Sequence, residues 1–514
     1  MNTRSKSDEY SAPSHWPYSV GAGFLSALVT YPWWHELSPW AGVAFAIVVA
    51  TVMHMATTSA ALPPFPHISI LICAIQYGLA PWASNYFPPL NSEYWIPDFH
   101  RYFAYAGPAL IAIVLGWLLG CLGLHYKPLE VPRPKGRSLA DRDLNWMLWG
   151  GLALKLAAGS RDFGGLGFVV VLLADLRFVG AMGLMLLRAP GWRWRAILLL
   201  GLESSGAVGS GSFHELILWS VSFFALYAFT WRLSTSVCLA WIVGLGLGVF
   251  LLNDSKWQIR QSTWFGEGRV KVFGGEIAMS NWNRPLVGAL CLIQSGTKAL
   301  TGGFDADSTG DMVMRFNQGW IIDRVLQHVP VGEPFAHGET IVSAFKASLL
   351  PRFLAPNKQM AGGKVFMARF ADYALSEDTS MNIGFAGEMY ANFGYWGGIF
   401  GCGMYALLLA LTFRWILLRV STSPLWWAFW IYGAHWALKA ETDVGSVLNY
   451  VVKAAVVVSL VIACMPALRA ELAGRPLLPR KRPWGERRQN PKPGGVERVS
   501  PRLSSDLRPP PSSH

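Results

Sequence analysis

The chain has 514 residues, of which 52% are hydrophobic and only 14% are charged. Soluble globular domains carry nearer a quarter charged residues, so this composition excludes an ordinary soluble fold and indicates a membrane protein. The net charge of +12 lies largely in the tail, where the residues from Arg469 onward contain 11 Lys and Arg against 4 Asp and Glu. Basic residues beside membrane ends report topology, so we expect no nucleic-acid partner.

Apolar runs recur along the chain in lengths that span the hydrocarbon core of a bilayer. The predicted spans are approximately 18–34, 41–58, 67–86, 102–124, 146–160, 164–187, 195–210, 213–231, 236–252, 392–418, 424–440 and 445–467. They predict an all-α polytopic integral membrane protein with about 12 transmembrane helices.

The basic clusters agree with one orientation of these spans. With residues 1–17 in the cytoplasm, the clusters beside membrane ends all fall on the cytoplasmic side. They are Lys127–Arg142, Arg188–Arg195, Arg232, Arg414–Arg419 and the tail. The same orientation places the long hydrophilic segment between spans 9 and 10 outside.

Four regions follow the amino-terminal residues 1–17. Residues 18–252 hold helices 1–9, residues 253–385 form the large exterior loop region, and residues 386–467 hold helices 10–12. Residues 468–514 form a basic tail rich in Pro, Arg and Ser, a composition typical of disorder. The exterior region is too long for a simple connection, so we expect it to be functional.

Small residues recur at helical spacing at the start of span 10. Gly384, Gly387, Ala391, Gly394, Gly398, Gly401 and Tyr405 are separated by alternating steps of three and four. This spacing predicts one continuous helix with all of them on one face, where another backbone can approach closely. Glu388 points into the same seam, and an ionisable group there is a candidate functional residue.

Other ionisable residues lie within or at the ends of the apolar runs. His214 and Glu215 open a span at the predicted outer face, and Glu203 sits in the preceding span, so these side chains could line an outward-facing cavity. Asp175 and Arg177 are two residues apart and are not expected to face each other directly on a helix.

Arginines scattered through the exterior region suit a phosphate or diphosphate, because guanidinium groups bind phosphate oxygens bidentately. Neither an Asp-x-Asp pair nor a GxxxxGK[ST] loop is present. The six cysteines have no paired spacing, and no Cys/His group has zinc spacing. We therefore expect no metal, no cofactor and no nucleotide.

Ordered motifs between residues 311 and 405 resemble the bacterial oligosaccharide repeat-unit polymerases, which make O-antigen or exopolysaccharide and are related to the O-antigen ligases. The motifs are Asp311-Met-Val-Met-Arg315-Phe-Asn317-Gln-Gly, Val329-Pro330, Glu333-Pro334, His337-Gly338-Glu339, Leu350-Pro351-Arg352-Phe353, Pro356-Asn357-Lys358, and Gly387-Glu388-x-Tyr390-x-Asn392-Phe393-Gly394 with Gly397-Gly398. In the amino-terminal half the resemblance extends to hydropathy and to Phe213-His214-Glu215.

The resemblance implies a glycosyltransferase of the bacterial inner membrane whose active site faces the periplasm. Its substrates would be oligosaccharides linked to undecaprenyl diphosphate, and the growing glycan would move from its lipid onto a sugar hydroxyl of the next unit. The leaving group is already activated, so the implied reaction is metal-independent. A chain-length regulator and a flippase are the implied protein partners, in addition to the lipid bilayer.

The same resemblance gives the candidate residues their roles. Arg315, Arg324, Arg352 and Lys358 would bind the donor diphosphate and stabilise its developing charge. Glu388, His337 and Asp311, in that order, are candidates for deprotonating the acceptor hydroxyl. The residues expected to contact sugars or line the cavity are Asn317, Tyr390, Asn392, His214 and Glu215.

Two other functions remain open from the sequence. A ligase would transfer the finished glycan to a lipid or protein acceptor and would share the donor chemistry. A transporter or flippase of lipid-linked glycans belongs to a different class, and it should show paired repeats with broken helices in two halves. No internal repeat is visible in the sequence.

Overall fold

A computed structural model describes residues 16–58, 63–122, 138–159, 167–210, 213–264, 268–278, 280, 283–301, 306–349, 363–376 and 381–475. The α-helices are α1 (Trp16–Val29), α2 (Tyr31–Trp34), α3 (Pro39–Thr58), α4 (Phe65–Ala74), α5 (Ala80–Tyr86), α6 (Phe99–Cys121), α7 (Ala140–Ala158), α8 (Gly167–Leu186), α9 (Trp192–Ser210), α10 (His214–Trp231), α11 (Thr235–Trp264), α12 (Arg284–Thr301), α13 (Ala306–Phe316), α14 (Gly319–His328), α15 (Glu339–Leu349), α16 (Gly363–Ala371), α17 (Gly384–Val420), α18 (Trp426–Ala434), α19 (Val444–Cys464) and α20 (Pro466–Leu472).

Helices dominate the described chain. Five of them, α3, α6, α8, α17 and α19, are long and apolar enough to cross a membrane. The described sheet is a two-stranded antiparallel hairpin of β1 (Arg269–Val272) and β2 (Gly275–Ala278). A π-helical turn (Ile75–Leu79) joins α4 to α5, and a short 3-10 helix (Ser92–Tyr94) precedes α6. The chain is therefore an α-helical protein of membrane type.

The structure departs from the predicted boundaries most clearly at the end of span 9 and in span 11. Helix α11 continues to Trp264, beyond the predicted end of span 9 at residue 252. Span 11, predicted over 424–440, contains only the short helix α18, and residues 435–443 that follow it are irregular. An apolar segment has the same hydropathy whether it is helical or irregular. Hydropathy therefore could not show that the helix ends within span 11.

Helix α17 is not the continuous helix that its spacing predicts. Gly394 has φ 69° and ψ −162°, so the backbone leaves the helical conformation there. Residues 385 and 405 would lie about 30 Å apart on a straight helix, yet the rings of Phe385 and Tyr405 stack with centroids 4.4 Å apart. A Cβ placed on Gly398 would lie 3.0 Å from the Cα of Tyr390. The chain therefore reverses at Gly394.

This reversal creates two antiparallel segments. We call residues 384–393 the re-entrant helix and residues 395–420 the crossing helix. The small residues of the predicted stripe let the two segments pack on each other, and Gly401 meets the side chain of Met389. On its other side the crossing helix packs closely against α6, where Gly116 faces the carbonyl oxygen of Gly403. The sequence pattern correctly indicated close packing, but the partner is the same helix folded back.

The irregular residues 435–443 are held by two tyrosines from other elements and by a helix cap at their carboxyl end. Tyr77 in the π-helical turn donates a hydrogen bond to the Ala440 carbonyl, and Tyr405 donates one to the Ala437 carbonyl at 3.0 Å. Asp443 caps α19 by accepting hydrogen bonds from the backbone N–H and the hydroxyl of Ser446, both at 2.7 Å. The segment is a defined structural element between two apolar helices.

Candidate active site

The re-entrant helix carries a buried carboxylate at the junction of three helices. Glu388 has no exposed surface. One of its oxygens accepts a hydrogen bond from the Thr340 hydroxyl at 2.7 Å, and the other accepts one from the Val444 backbone N–H at 2.6 Å. Because Val444 is the first residue of α19, its N–H has no partner within that helix. Glu388 thereby joins the re-entrant helix to the starts of α15 and α19.

Asn392 lies one turn further along the re-entrant helix and extends the same network. Its amide nitrogen donates to the Thr340 hydroxyl and to the Glu388 carbonyl, both at 2.8 Å. Its side-chain oxygen accepts from the Gly338 N–H at 3.0 Å. These side-chain hydrogen bonds go to α15, to the loop before it and to the re-entrant helix itself. Asn392 is fully buried, so in this conformation it holds the loop in place.

His337 is the exposed residue that this network supports. Its backbone N–H donates to the Asn392 carbonyl at 3.0 Å, and the preceding Ala336 N–H donates to the Ala391 carbonyl at 2.9 Å. Its φ of 47° is unusual for a residue other than glycine. Such conformations persist only where surrounding structure fixes them, and they concentrate at functional sites. The imidazole is exposed while its backbone is held.

Cationic side chains surround the same end of the bundle. Arg324 donates to the Glu93 carbonyl at 3.0 Å and lies over the Tyr373 ring at 4.9 Å. Arg101 pairs with buried Asp323 at 2.9 Å, and burial raises the pKa of Asp323 above its ordinary value.

A third arginine fixes the loop that contains His337 from its outer side. Arg369 donates to Glu333 at 2.5 Å and to Glu339 at 3.0 Å. These hydrogen bonds lower the pKa of Glu339 and raise that of Arg369. The two carboxylates flank His337 in sequence, so the guanidinium connects the ends of the loop.

The other predicted diphosphate ligands are only partly described. Arg315 lies near the end of α13 and is partly buried, and burial lowers its pKa although Asp311 opposes this shift. Asp311 is exposed on the same helix. Arg352 and Lys358 lie outside the described residues. The structure thus brings Glu388, Asn392 and His337 into one network, while Asp311 and Arg315 lie on α13, a different helix.

Asn317 and Tyr390, predicted to orient sugars, have different surroundings. Asn317 is buried, and its side-chain oxygen accepts from the Gly319 N–H at 2.8 Å at the start of α14. Tyr390 is half-buried; its ring contacts that of Tyr105 at 5.1 Å, and its hydroxyl lies 3.4 Å from the Val329 carbonyl. Tyr390 is on the re-entrant helix beside the site, whereas Asn317 stabilises a helix end.

A second group of charged side chains lies at the inner end of the re-entrant helix. We call His214, Glu215, His435, Lys439 and Glu441 the polar cluster. Glu215 accepts from Lys439 at 3.0 Å and from His435 at 2.9 Å, and His214 lies 3.2 Å from Glu441. The Cα of Glu441 lies 3.7 Å from a Cβ placed on Gly384. The cluster therefore adjoins the first residue of the re-entrant helix.

Deeper in the helical bundle, Arg177 forms a buried ion network. It donates to Glu203 at 2.7 Å and to Asp175 at 2.9 Å, and Lys155 pairs with Glu203. Asp175 and Arg177, two residues apart on α8, form a largely buried pair because the long arginine side chain reaches back to its neighbour. Rings connect this network to the polar cluster: Phe178 stacks on Trp219 at 4.4 Å, and Trp219 stacks on His435 at 4.2 Å.

Sequence reasoning missed the residues that link the elements of the site. Thr340 and Arg101 are not exceptional in composition or spacing, and the Val444 contact is made by backbone. Thr340 directly follows the quoted His337-Gly338-Glu339 motif, which is the one signal that could have pointed to it. Within the described residues, no group of His, Cys, Asp and Glu could hold a metal ion.

An open groove of about 540 Å³ lies between α10 and α11, and its lining includes Leu216, Ile217, Trp241, Leu245 and Leu252. It carries no charged lining residue, so the groove itself supplies no chemistry. Comparisons of the chain with protein-family models, with curated proteins and with solved structures found no match.

Proposed function

We propose that this protein is a glycosyltransferase that polymerises oligosaccharide repeat units linked to undecaprenyl diphosphate. The observation that carries the proposal is the exposed His337 imidazole, held in a strained backbone conformation by the buried Asn392–Thr340–Glu388 network. Arginines lie around the same end of the bundle, as a diphosphate donor requires. The motif resemblance described above supplies the substrate class.

In the proposed reaction, an acceptor sugar hydroxyl attacks the anomeric carbon of the donor glycan. A glycosidic C–O bond forms, and the anomeric C–O bond to the diphosphate breaks with its electron pair leaving on undecaprenyl diphosphate. We assign His337 as the base that takes the hydroxyl proton, because it is exposed whereas Glu388 is fully buried. Glu388 acts as a positioning residue through Thr340 and Asn392.

Guanidinium groups supply the charge stabilisation in this proposal. Arg324 and Arg315, with Arg352 and Lys358 from the undescribed segment, would contact the diphosphate as negative charge develops on it. Fixed cations in a partly dehydrated site stabilise that charge more than water does. The proposal needs no nucleotide, because the lipid diphosphate is itself the activated leaving group.

The proposed setting is the bacterial inner membrane, with about twelve spans, the site facing the periplasm and the basic tail in the cytoplasm. Support comes from the distribution of basic residues along the sequence. Residues 253–385 would then form the periplasmic region that meets the flipped lipid-linked units. A flippase that delivers the units and a regulator of chain length are the proposed partners.

The test compares glycan length in strains that lack the chromosomal gene and carry either His337→Gln or the control His100→Gln. His100 is also exposed and lies near the start of α6 at the same end of the bundle. We expect His337→Gln to leave single repeat units on lipid, while His100→Gln restores long glycan. Membrane abundance of each variant is measured in parallel.

Other results of this comparison have defined meanings. Long undecaprenyl-linked chains that never reach a final acceptor in the gene-deletion strain would establish a ligase in place of a polymerase. Normal polymer with His337→Gln would remove His337 as the base. Normal polymer in the deletion strain itself would overturn the proposed function.

Transport of lipid-linked glycans is the second candidate, and one observation favours it. Helix α18 ends inside the bundle, irregular residues 435–443 follow, and the re-entrant helix lies beside them. Broken helices next to ionisable groups are typical of transporter binding sites. If transport is the function, the deletion strain should accumulate repeat units on the cytoplasmic leaflet, whereas a polymerase deletion should accumulate them on the outer leaflet.

A further inference from the structure

Three side chains of the polar cluster are ionisable yet substantially exposed within a bundle of apolar helices, whereas His435 and Lys439 are buried. Exposed fractions are 46% for the side chain of His214, 49% for Glu215 and 36% for Glu441. Ionisable groups among membrane helices face a water-filled or ligand-filled space, because exposure to lipid is too costly. The irregular backbone of residues 435–443 leads to the same conclusion, because such backbone occurs at membrane depth only where it is buried in protein or lines a cavity.

Two parts of the chain form the polar cluster, and both are held in place. His214 and Glu215 lie at the start of α10, while His435, Lys439 and Glu441 belong to the irregular segment held by Tyr77 and Tyr405. Glu215 bridges the two parts: one oxygen accepts a hydrogen bond from Lys439 and lies 3.6 Å from His214 Nδ1, and the other lies 2.9 Å from His435 Nε2. A carboxylate oxygen can accept two hydrogen bonds, so acceptor capacity remains on the exposed side of Glu215.

His435 adds an independent sign of a ligand. It is buried between Trp219 and the rest of the bundle, its Nε2 is bonded to Glu215, and its Nδ1 has no hydrogen-bond partner. Buried polar atoms are almost always paired, so an unpaired one indicates a missing polar group.

The charges of the cluster select the class of ligand. Lys439 is already paired with Glu215, and the carboxylate of Glu441, which faces His214, would repel a phosphate. The described residues here form no metal site. What remains is a mixture of hydrogen-bond donors and acceptors with no excess positive charge, which suits a neutral polyhydroxyl group. The arginines lie elsewhere: Arg324 belongs to α14, whereas the cluster adjoins Gly384, beside Ala440 and Glu441.

We propose that the polar cluster is the binding site for the sugars of the acceptor glycan, apart from the arginines assigned to the donor diphosphate. This assignment rests on the proposed function and gives its two substrates separate sites. Glu215 and Glu441 accept hydrogen bonds from sugar hydroxyls, and His214, which lies between them, orients both carboxylates. None of these residues takes part in bond breaking.

Two probes distinguish binding at the acceptor-glycan site from binding at the donor diphosphate site. The first is the free oligosaccharide released by mild acid from lipid-linked units of the deletion strain; it retains the acceptor hydroxyl but has no diphosphate. The second is undecaprenyl diphosphate, the leaving group. Binding of each probe is measured with purified full-length protein, for the wild type, Glu215→Gln, Glu441→Gln and the control Glu276→Gln. Glu276 is exposed on the hairpin, where it pairs with Arg269.

We expect Glu215→Gln and Glu441→Gln to weaken oligosaccharide binding roughly tenfold or more, because each removes a charged hydrogen-bond acceptor. Undecaprenyl diphosphate binding should stay within about twofold, and Glu276→Gln should match the wild type with both probes. If Glu215→Gln is not recovered as folded protein, His214→Gln takes its place. The side chain of His214 is half-exposed and lies between the two carboxylates.

Unchanged oligosaccharide binding in these variants would overturn the assignment, and so would an equal loss of both probes. A wild type that binds the oligosaccharide but not undecaprenyl diphosphate would leave the glycan site standing and refute the proposed donor. The acceptor site alone would be refuted by a third result. In that case the wild type binds undecaprenyl diphosphate and polymerises, but the variants of the polar cluster bind the oligosaccharide with normal affinity.

Discussion

A single hydroxyl group, that of Thr340, joins the two buried polar side chains of the re-entrant helix. It donates to Glu388 and accepts from Asn392, so removing it leaves one acceptor and one donor without that partner. Both of those side chains are fully buried. The network is therefore most sensitive at a residue that touches no substrate in the proposed reaction.

Thr340→Val tests this dependence while keeping the side chain's shape. We expect a loss of about 1–3 kcal/mol in the free energy of unfolding, the cost of unpaired buried hydrogen-bonding groups. Thr340→Ser retains the hydroxyl and should recover most of the loss. The measurement is equilibrium unfolding of the full chain in mixed micelles of detergent and SDS.

The matched control is Thr297→Val on α12, where the hydroxyl is exposed and bonds only the Ile293 carbonyl of its own helix at 2.9 Å. Its stability should change by less than about 0.5 kcal/mol, as for most surface substitutions. Equal losses for Thr340→Val and Thr297→Val would show that the Thr340 hydroxyl does not hold the network together.

At the scale of the element, the reversal at Gly394 determines where Glu388 lies. The sequence correctly indicated a tightly packed glycine face and a carboxylate within it. It could not indicate the reversal, because the three-and-four spacing records which residues share a face and carries no information on the sign of a glycine φ. Likewise, the bonds of Thr340 and Val444 join parts of the chain far apart in sequence, which no local pattern reports.

Gly394→Ala should destabilise the protein by about 1–3 kcal/mol, because φ 69° with ψ −162° is accessible essentially only to glycine. The added Cβ would also lie 3.2 Å from the Phe335 ring. Gly246→Ala is the control: it lies within helical α11 with nothing within 4 Å of its Cβ, so alanine should stabilise by roughly 0.5–1 kcal/mol. Equal stability changes in the two variants would contradict the strained turn.

At the scale of the whole molecule, composition and apolar run length correctly predicted an α-helical membrane protein, because bilayer thickness constrains both directly. The candidate site was less predictable from the sequence than the fold class. Charged residues within apolar runs were recognisable, but their pairing depends on how helices cross: Arg177 on one helix meets Glu203 on the next, and Glu215 meets His435, which lies 220 residues further along the chain. Orientation in the membrane remains a prediction from basic residues.

Single cysteines test that orientation in a background lacking the six native ones. A membrane-impermeant maleimide should label Glu276→Cys, on the exposed hairpin, in intact spheroplasts, because the hairpin belongs to the predicted periplasmic region. Arg193→Cys, near the start of α9 in a predicted cytoplasmic cluster, should react only after permeabilisation. The reverse pattern would place the site in the cytoplasm and exclude flipped repeat units as its substrate.

The turn at Gly394 also separates two mechanical tasks. Bilayers differ in thickness, and a crossing helix adapts by tilting or by shifting its axis. If Glu388 were part of the same rod as residues 395–420, each such adjustment would rotate and displace the carboxylate. The chain reversal breaks that linkage, and Thr340 and Val444 attach the carboxylate to other helices. The crossing helix can therefore follow the lipid while the site keeps its own geometry.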